Sequence, residues 1–394
     1  MLKKSSFILS LSFVLILSIL FSALPFSSSA YNDSVTINVY NWGQYISDGS
    51  DGTIDANEEF TRQTGIKVNY TTFASNEEMY AKLASNGAVY DVIIPSDYMA
   101  SKLKNQGMLR KLDFSKIPNA QNIDDKFKNL HHDPENEYTV AYTWGYLGLF
   151  YNKNFVDASD PSWNMLWDQK YDDKILMFDN PRDAFSIAHF ILGNDINSEN
   201  KSDWLNASEL LRAQKPLLQS YVMDQIFNKM GNNEAYIAPY YSGDANDLMT
   251  LNQDLEFALP KEGTTFFIDA MCIPENCEHY EEALAYINFM CTPEIMAANS
   301  RATGYSTPST KAKELLTEEE ANNPILYPDL SAFETLPIYE NLSDETNEYI
   351  DELWIDVKTG TQNNPMGLIF VLLGFLGIYV AIVVYKKLKN RYNK

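Results

Sequence analysis

The chain has 394 residues and is strongly acidic, with 53 Asp and Glu against 30 Lys and Arg and a formal net charge of −23. Seven cations lie in the two terminal segments, so the part between them has 23 cations against 53 acids, a net charge of −30. This charge disfavours nucleic acid and anionic lipid headgroups as partners and attracts cations, although much of it serves solubility. The length predicts about two lobes.

The N-terminal segment is typical of an export signal. Lys3 and Lys4 precede an apolar run from Phe7 to Phe21, and small residues follow as far as Ala30. This order of basic, apolar and small residues predicts a signal peptide over 1–30, with cleavage after Ala30 as the simplest case. An uncleaved N-terminal anchor is the alternative. In both cases the segment that follows is exported.

Strand-like and helical patterns alternate along the middle of the chain. Alternating apolar residues and short buried apolar runs predict strands, and apolar residues at helical spacing predict helices. Over 35–95 the alternation indicates βαβ units and a parallel sheet. The predicted strands are 35–40, 66–70, 90–95, 174–178, 235–241, 255–259 and 266–273, with a further apolar stretch at 138–151, and the predicted helices are 55–64, 77–84, 185–192, 281–290 and 341–357.

An acidic loop before the first predicted helix partly matches a calcium loop of the EF-hand type. Its first and third ligand positions, however, are Ser47 and Gly49 rather than acids. We therefore favour a turn that leads into a helix capped near Asp55.

The three cysteines, Cys272, Cys277 and Cys291, lie close together in the sequence and near His279. This spacing matches no standard zinc pattern, and an odd number of cysteines permits at most one internal disulfide. A Cys272–Cys277 bridge and a zinc site stay open, but free thiols are the favoured interpretation.

The chain contains none of the common enzyme motifs. A glycine-rich phosphate loop, a His-Glu-x-x-His pair and a Gly-x-Ser-x-Gly elbow are all missing from the sequence. The four histidines have no evident nucleophile as a partner. We therefore expect a binding protein rather than an enzyme, without a cofactor, a catalytic residue or a metal.

The C-terminal segment predicts a membrane anchor. Residues 366–385 are apolar and carry no charge over a length that can cross a bilayer as a helix. Five cations follow in 386–394, which predicts a short cytoplasmic tail, with 359–365 as a linker before the span. A buried core helix is the alternative. Together the two ends predict a protein held at the extracellular face of the cell membrane.

Aromatic residues cluster at the ends of predicted strands, with carboxylates beside them. In open α/β sheets, ligands bind at the carboxyl ends of strands. Ring faces attract ammonium groups and cover methylenes, and carboxylates supply charge-assisted hydrogen bonds, so this combination suits an amine with an apolar chain. For any one residue, a place in the core or in a helix cap is the simpler interpretation. The clusters are 41–45, 95–98, 240–244, 266–269 and 304–305.

Taken together, these segments resemble the spermidine/putrescine-binding proteins of polyamine ABC importers. The resemblance extends from about Val35 to Val357, and it rests on the order and spacing of many short motifs. These are Tyr-Asn-Trp-Gly-Gln-Tyr at 40–45, Thr-Gly-Ile-Lys-Val at 64–68, Ser-Asn-Glu-Glu-Met-Tyr-Ala-Lys-Leu at 75–83, Tyr-Asp-Val-Ile-Ile-Pro-Ser at 90–96, Trp-Gly at 144–145, Tyr-Ser-Gly-Asp-Ala at 241–245, Pro-Lys-Glu-Gly at 260–263, Ile-Asn-Phe-Met at 287–290 and Gly-Tyr-Ser-Thr-Pro at 304–308.

The resemblance implies an α/β, two-lobed periplasmic-binding-protein-like fold with chain crossovers at a hinge. The first lobe would contain 31–141 and 268–311, and the second lobe 142–267 and 312–358. The ligand would lie between the lobes, and closure around it would be the signal that the permease reads.

The resemblance also implies a set of ligand-binding residues. Asp269 matches a central acid, Asp183 an acid that binds a terminal amine, and Asp244 an acid of putrescine-type members. Glu340 is the alternative to Tyr339 at a loosely aligned polar position. The expected ligand-binding residues are Trp42, Tyr45, Ser96, Tyr98, Asp183, Tyr241, Asp244, Phe267, Asp269, Tyr305 and Tyr339.

The sequence departs from the family pattern at three positions, of which one belongs to this set and two lie close to members of it. Gln44 and Asn180 occupy positions that can be acidic, and Tyr241 stands where many relatives have Trp. Fewer negative charges should weaken the binding of a trication more than that of a dication. This favours putrescine slightly, with spermidine left open.

Three functions from different classes remain at this stage. The favoured function is capture of putrescine or spermidine by a monomeric, membrane-tethered subunit that delivers it to the permease of an ABC importer. The second is the binding of another organic cation or small solute by the same fold. The third is a surface hydrolase, for which the sequence offers no motif. The short tail argues against a sensory receptor.

Overall fold

The computed structural model describes residues 35–50, 52–85, 88–329 and 337–360. The predicted signal peptide (1–30), the predicted membrane span (366–385) and the predicted basic tail (386–394) lie outside these ranges. Within them, every helix is too short or too polar to cross a bilayer.

The first lobe is built on a parallel three-stranded sheet. Its strands are β1 (Thr36–Trp42), β2 (Lys67–Phe73) and β3 (Val92–Ile93), in the order β2-β1-β3. Helices α1 (Ala56–Thr64) and α2 (Asn76–Ala84) connect the strands. The βαβ pattern predicted for this part of the chain is confirmed, because the apolar residues of β1 alternate between the two faces of the sheet and both faces are covered.

Local capping explains why α1 begins and ends where it does. The Asp55 side chain accepts a hydrogen bond from the Glu58 backbone N–H at 2.8 Å. Gly65, with φ of 78°, ends the helix in the left-handed conformation that glycine adopts without strain. The cap predicted near Asp55 is therefore confirmed.

The second lobe contains a mixed sheet, whose strand directions the sequence analysis did not predict. β5 (Val140–Asn152) is antiparallel to β8 (Ile237–Tyr241), to β9 (Leu255–Ala258) and to β10 (Phe266–Met271). The parallel pairs that the described residues form in this sheet both involve β6 (Ile175–Phe178), which pairs with β8 on one side and with β7 on the other. The remaining strands are β7 (Leu218–Val222) and the short pair β4 (Leu109–Arg110) and β11 (Ile273–Pro274).

The other helices surround these sheets. Helices predicted at 185–192, 281–290 and 341–357 are confirmed with slightly different ends. Among the described residues, five helices of at least seven residues were not predicted, among them α5, whose buried face includes Trp204, Ala207, Ser208 and Leu211. The helices are α3 (Asp97–Asn105), α4 (Pro181–Leu192), α5 (Lys201–Gln214), α6 (Gln225–Gly231), α7 (Ala245–Leu251), α8 (Tyr280–Met290), α9 (Pro293–Thr303), α10 (Thr310–Lys313), α11 (Glu318–Ala321) and α12 (Asp344–Thr359).

The strands β5 and β10 cross between the two lobes. On β5, residues up to Tyr146 pack in the core of the first lobe, whereas residues from Leu147 onwards pack in the core of the second. A third crossing lies beside them, where Trp144 pairs with Ser306. Ala312, just beyond the boundary expected at 311, packs in the first core. The antiparallel β5–β10 pair therefore forms the floor of the space between the lobes.

The three cysteines are free and buried. Burial raises the pKa of the Cys291 thiol to about 12. The Cys277 thiol donates a hydrogen bond to the buried carboxylate of Asp91 at 3.3 Å. The alternative of a Cys272–Cys277 bridge is therefore wrong, and the interpretation as buried thiols is confirmed.

Replacing Gly148 by Ala should destabilise the protein by about 1–3 kcal/mol, because a Cβ at this position would overlap the Phe257 ring. Gly231→Ala is the matched control, since its Cβ would meet only Leu251 at an ordinary distance of 3.7 Å. Urea unfolding of both variants measures the difference. Equal stability of the two variants would contradict the packing seen at β5.

Candidate ligand-binding cleft

Three carboxylates lie between the lobes, two of them buried and the third, Asp244, half-buried, and each accepts a hydrogen bond from a tyrosine hydroxyl. Asp269 comes from β10, Asp183 from α4 and Asp244 from the short turn that joins β8 to α7. The first carboxylate faces residues of the first lobe, and the other two belong to the second lobe. The site is therefore assembled only when both lobes are present.

Asp269 is 4% exposed and lies at the crossing strand β10, opposite Thr143 of β5. The Tyr45 hydroxyl donates to Asp269 Oδ2 at 2.6 Å, and the Ser96 hydroxyl donates to Oδ1 at 2.6 Å. Ser96 reaches this position because the segment after β3 pairs with β10 through a Ser96–Asp269 bridge. Burial raises the pKa of Asp269 to about 6, and the hydrogen bonds from Ser96 and Tyr45 partly oppose this.

Asp183 lies in the first turn of α4, which Asn180 caps by accepting a hydrogen bond from the Arg182 backbone N–H at 3.1 Å. The Tyr241 hydroxyl donates to Asp183 Oδ2 at 2.6 Å, and the Tyr339 hydroxyl donates to Oδ1 at 2.9 Å. Burial raises the pKa of Asp183 to about 6, against the effect of these two hydrogen bonds. Both oxygens of this carboxylate are thus occupied by tyrosines.

Asp244 follows β8 directly. The Tyr305 hydroxyl donates to Asp244 Oδ2 at 2.9 Å. Burial raises the pKa of Asp244 to about 7. The pKa values of this carboxyl and of the other two therefore lie close to neutral pH, above the usual range of an aspartate.

A continuous wall of rings connects the three acids. Tyr241 contacts Phe267 edge to face, with ring centroids 5.6 Å apart, and Phe267 contacts Tyr305 at 6.2 Å. Tyr305 contacts Tyr45 at 4.8 Å, again edge to face. Tyr241 and Phe267 are half-buried, so part of this wall faces the space between the lobes. The wall offers an apolar surface between carboxylates.

Two glycines allow the rings to lie this close to the backbone. A Cβ on Gly145 of β5 would lie 2.6 Å from Phe267 Cζ, and a Cβ on Gly243 would overlap the Tyr305 ring. Any larger residue would push these rings into the space between the lobes. The packing of these rings therefore explains why the motifs at 144–145 and 241–245 contain glycine.

Tyr98 and Tyr339 extend the site at the Asp183 end. Their rings meet edge to face with centroids 6.0 Å apart, which joins the first lobe to the segment before α12. The Tyr98 hydroxyl donates to Glu77 at 3.0 Å and accepts a hydrogen bond from the Asn76 amide at 3.1 Å. Both tyrosines are thus linked to acids.

Trp42 lies at the end of β1 and is less closely connected to the three acids than the other predicted residues. Its ring packs on Phe73, with centroids 4.5 Å apart. Its buried Nε1 has no hydrogen-bond partner among the described residues. Gln44, where the family pattern often has an acid, is exposed.

The sequence analysis missed three charged residues at the site. Glu77 accepts the Tyr98 hydroxyl, and Asp97 is fully buried, where it accepts hydrogen bonds from the backbone N–H groups of Tyr98 and Ile268 at 2.7 and 3.2 Å. Burial raises the pKa of Asp97 well above its usual range. Arg182, also buried, lies next to Asp183. Asp97 and Arg182 are direct neighbours of predicted residues, so sequence adjacency was the available signal.

Known proteins share this architecture. The family described as bacterial extracellular solute-binding protein matches residues 55–328. The spermidine/putrescine-binding periplasmic protein of Salmonella typhimurium is 33% identical over 340 residues, which cover 86% of this chain and 96% of that protein. The structure of the substrate-binding protein PotD of a spermidine/putrescine ABC transporter from Streptococcus pneumoniae is 35% identical, with a TM-score of 0.72 over 83% of this chain and 99% of that one.

A further solved structure is that of a candidate spermidine/putrescine ABC transporter from Listeria monocytogenes. It is 37% identical, with a TM-score of 0.77 over 82% of this chain and 99% of that one. The expected α/β two-lobed binding-protein fold is therefore confirmed. The chain belongs to the bacterial extracellular solute-binding protein family.

Substitution of Asp269 by Asn should change how stability depends on pH. Between about pH 4 and pH 6 the folded protein holds a proton on Asp269 that the unfolded chain releases. The free energy of unfolding of the wild type therefore falls as the pH rises across this range. The stability of Asp269→Asn relative to the wild type should therefore increase by about 3 kcal/mol between pH 4 and pH 7.

Urea unfolding of the empty protein across this pH range measures the difference, with the exposed Asp172→Asn as the matched control. A constant difference between Asp269→Asn and the wild type would contradict the raised pKa.

Proposed function

We propose that this protein captures a polyamine between its two lobes and presents it to the permease of an ABC importer at the outer face of the cell membrane. The observation that carries the proposal is the set of two buried carboxylates and one half-buried carboxylate joined by a wall of rings. A polyamine has the complementary order of groups, with ammonium ions separated by apolar methylene chains. Relatives that match most of the chain are named for spermidine and putrescine, which supports the same ligand class.

Each part of the cleft has a role in this proposal. The ionised forms of Asp269, Asp183 and Asp244 bind ammonium groups by charge-assisted hydrogen bonds. The rings of Phe267 and Tyr305 cover the methylenes and attract the adjoining cations. The tyrosine hydroxyls hold the carboxylates in place, so that little reorganisation is needed when the ligand enters.

The proposed signal to the permease is closure of the lobes. We assign 31–141 with 268–311 to the first lobe and 142–267 with 312–358 to the second, although Tyr142, Tyr146 and Ala312, next to these boundaries, pack in the core of the first lobe. A ligand that contacts Asp269 and Asp183 together touches both lobes, and it therefore stabilises the closed arrangement relative to an open one. Capture and release by a monomer require no chemical change in the ligand, so the polyamine should be recovered unchanged after incubation.

Calorimetric titration of the full-length chain in mild detergent with putrescine and with spermidine tests the ligand class. One-to-one saturable binding of at least one of them is expected at modest salt. Asp269→Asn should weaken the binding by at least about 100-fold, because it removes a charge-assisted hydrogen bond at a buried position. Asp172→Asn, with its side chain exposed, is the control and should bind as the wild type does. Lack of binding to either polyamine would refute the proposed ligand class.

We also propose that the apolar segment 366–385 anchors the exported protein, with the tail 386–394 in the cytoplasm. The charge-free length and the cations that follow it support this. A chain that stops after Gly360 should be released into the medium or the periplasm, whereas the full-length chain should remain with the membrane after a carbonate wash. Release of the full-length chain by the same wash would contradict the anchor.

A further inference from the structure

Asn76 is a buried polar residue whose single amide contacts two of the expected ligand-binding residues. It opens α2 and is 4% exposed, whereas the cap of that helix is the side chain of Ser75. The Oδ1 atom of Asn76 accepts a hydrogen bond from the Ser96 backbone N–H at 3.2 Å, and its Nδ2 donates to the Tyr98 hydroxyl at 3.1 Å. The amide is therefore directed at the segment after β3 rather than at the first turn of its own helix.

The hydrogen bond from Ser96 determines which way round the amide lies. A backbone N–H can only donate, so the Asn76 atom that faces it is the oxygen. The Nδ2 group then faces Tyr98 as a donor, and the Tyr98 hydroxyl has to accept from it. The proton of this hydroxyl consequently goes to the Glu77 carboxylate, whose Oε1 lies 3.0 Å away. One backbone donor thus fixes the direction of all three hydrogen bonds.

The hydroxyl protons of this segment are both used within the protein. Ser96 is the N-cap residue of α3, but its hydroxyl donates to Asp269 at 2.6 Å instead of bonding the first turn of the helix. The Tyr98 hydroxyl gives its proton to Glu77, so it can meet a ligand only as an acceptor. An acceptor suits an ammonium group and is unfavourable for a carboxylate or a carbonyl oxygen of a ligand.

The backbone of the same segment is attached to β10 by contacts that do not involve α2. The Ala270 backbone N–H donates to the Pro95 carbonyl at 2.9 Å. The buried carboxylate of Asp97 accepts from the Ile268 backbone N–H at 3.2 Å. Loss of the amide on α2 should therefore release the hydroxyl that it orients without detaching the segment.

We propose that Asn76 is a positioning residue of the cleft, which orients the Tyr98 hydroxyl so that it presents an acceptor to a ligand cation. This inference rests on the proposed function and adds a residue that acts on the ligand through another side chain. The contribution of Asn76 to polyamine affinity should therefore largely disappear when the Tyr98 hydroxyl is absent. A side chain that only stabilised the first lobe would act equally with and without that hydroxyl.

A double-mutant cycle tests this dependence by calorimetric titration of the full-length protein in mild detergent with putrescine and with spermidine. Asn76→Ala should weaken the binding of both polyamines by about tenfold, because the Tyr98 hydroxyl loses the donor that fixes its orientation. In a Tyr98→Phe background, the same substitution should change the two affinities by no more than about twofold.

Asn57→Ala is the matched control for the loss of an amide. Asn57 also lies near the start of a helix of the first lobe, α1, and its Oδ1 accepts the hydroxyl of a tyrosine, Tyr286, at 2.9 Å. Tyr286 packs in the core of that lobe. Asn57→Ala should therefore bind both polyamines as the wild type does.

Asn76→Asp is a second variant, which decides the question if urea unfolding shows that Asn76→Ala does not fold. It keeps an acceptor for the Ser96 backbone N–H but loses the donor to Tyr98. Its added negative charge acts with and without the Tyr98 hydroxyl and cancels from the cycle. The change in affinity that it causes should be less favourable by about fivefold when the hydroxyl is present than in the Tyr98→Phe background.

The outcomes separate the inference from the function on which it rests. Equal effects of the Asn76 substitutions in both backgrounds would overturn the inference and leave polyamine capture standing. Wild-type affinity in a folded Asn76→Ala variant would do the same. Binding of neither polyamine to the wild type would overturn both.

Discussion

The burial of three carboxyls between the lobes is the constraint on which the rest of this structure depends. A carboxylate that is moved out of water without a cation is strongly destabilised, and it either finds hydrogen-bond donors or takes up a proton. Here each acid has a tyrosine hydroxyl as a donor, and burial raises each pKa to between about 6 and about 7. The three carboxyls are therefore held in place by neutral hydroxyl donors, and their pKa values lie close to neutral pH.

This arrangement places demands on the backbone around it. The strands β5 and β10 must cross between the lobes so that Asp269 lies at their junction, and Ser96 must follow a strand of the first lobe closely enough to reach it. The rings can line the space between the acids only because Gly145 and Gly243 leave room for Phe267 and Tyr305. The hinge strands thus determine both how the lobes are connected and where the polar groups meet.

The sequence predicted those parts of the structure that local patterns determine. Helix α1 follows from a capping Asp55, an apolar face and a terminal Gly65, and all three can be recognised without tertiary context. Helix α5 was missed because its buried face includes the polar residue Ser208. The burial of this face is evident only in the structure, where Trp204 packs in the core. In the second lobe the sequence predicted strands but not their directions, because strand direction there depends on the long return from β8 through β9 and β10.

At the site, local motifs indicated individual residues, but they could not give the pairing of acids with hydroxyls. Tyr305 and Asp244 lie 61 positions apart, and Tyr339 and Asp183 lie 156 apart, so only the folded chain brings them together.

Tyrosine is well suited to a cleft that must be stable both with and without its ligand. Its hydroxyl can donate to a carboxylate, and it can also accept from a protonated carboxyl, so the same side chain satisfies the acid in either state. A lysine or arginine in the same position would neutralise the acid permanently and would compete with an incoming ammonium group. At Asp269 and Asp244 the structure uses tyrosine and avoids such competition. At Asp183 two tyrosine hydroxyls take the two carboxylate oxygens, and Arg182, which precedes this acid in α4, donates to Asn197 and to the Glu340 carbonyl.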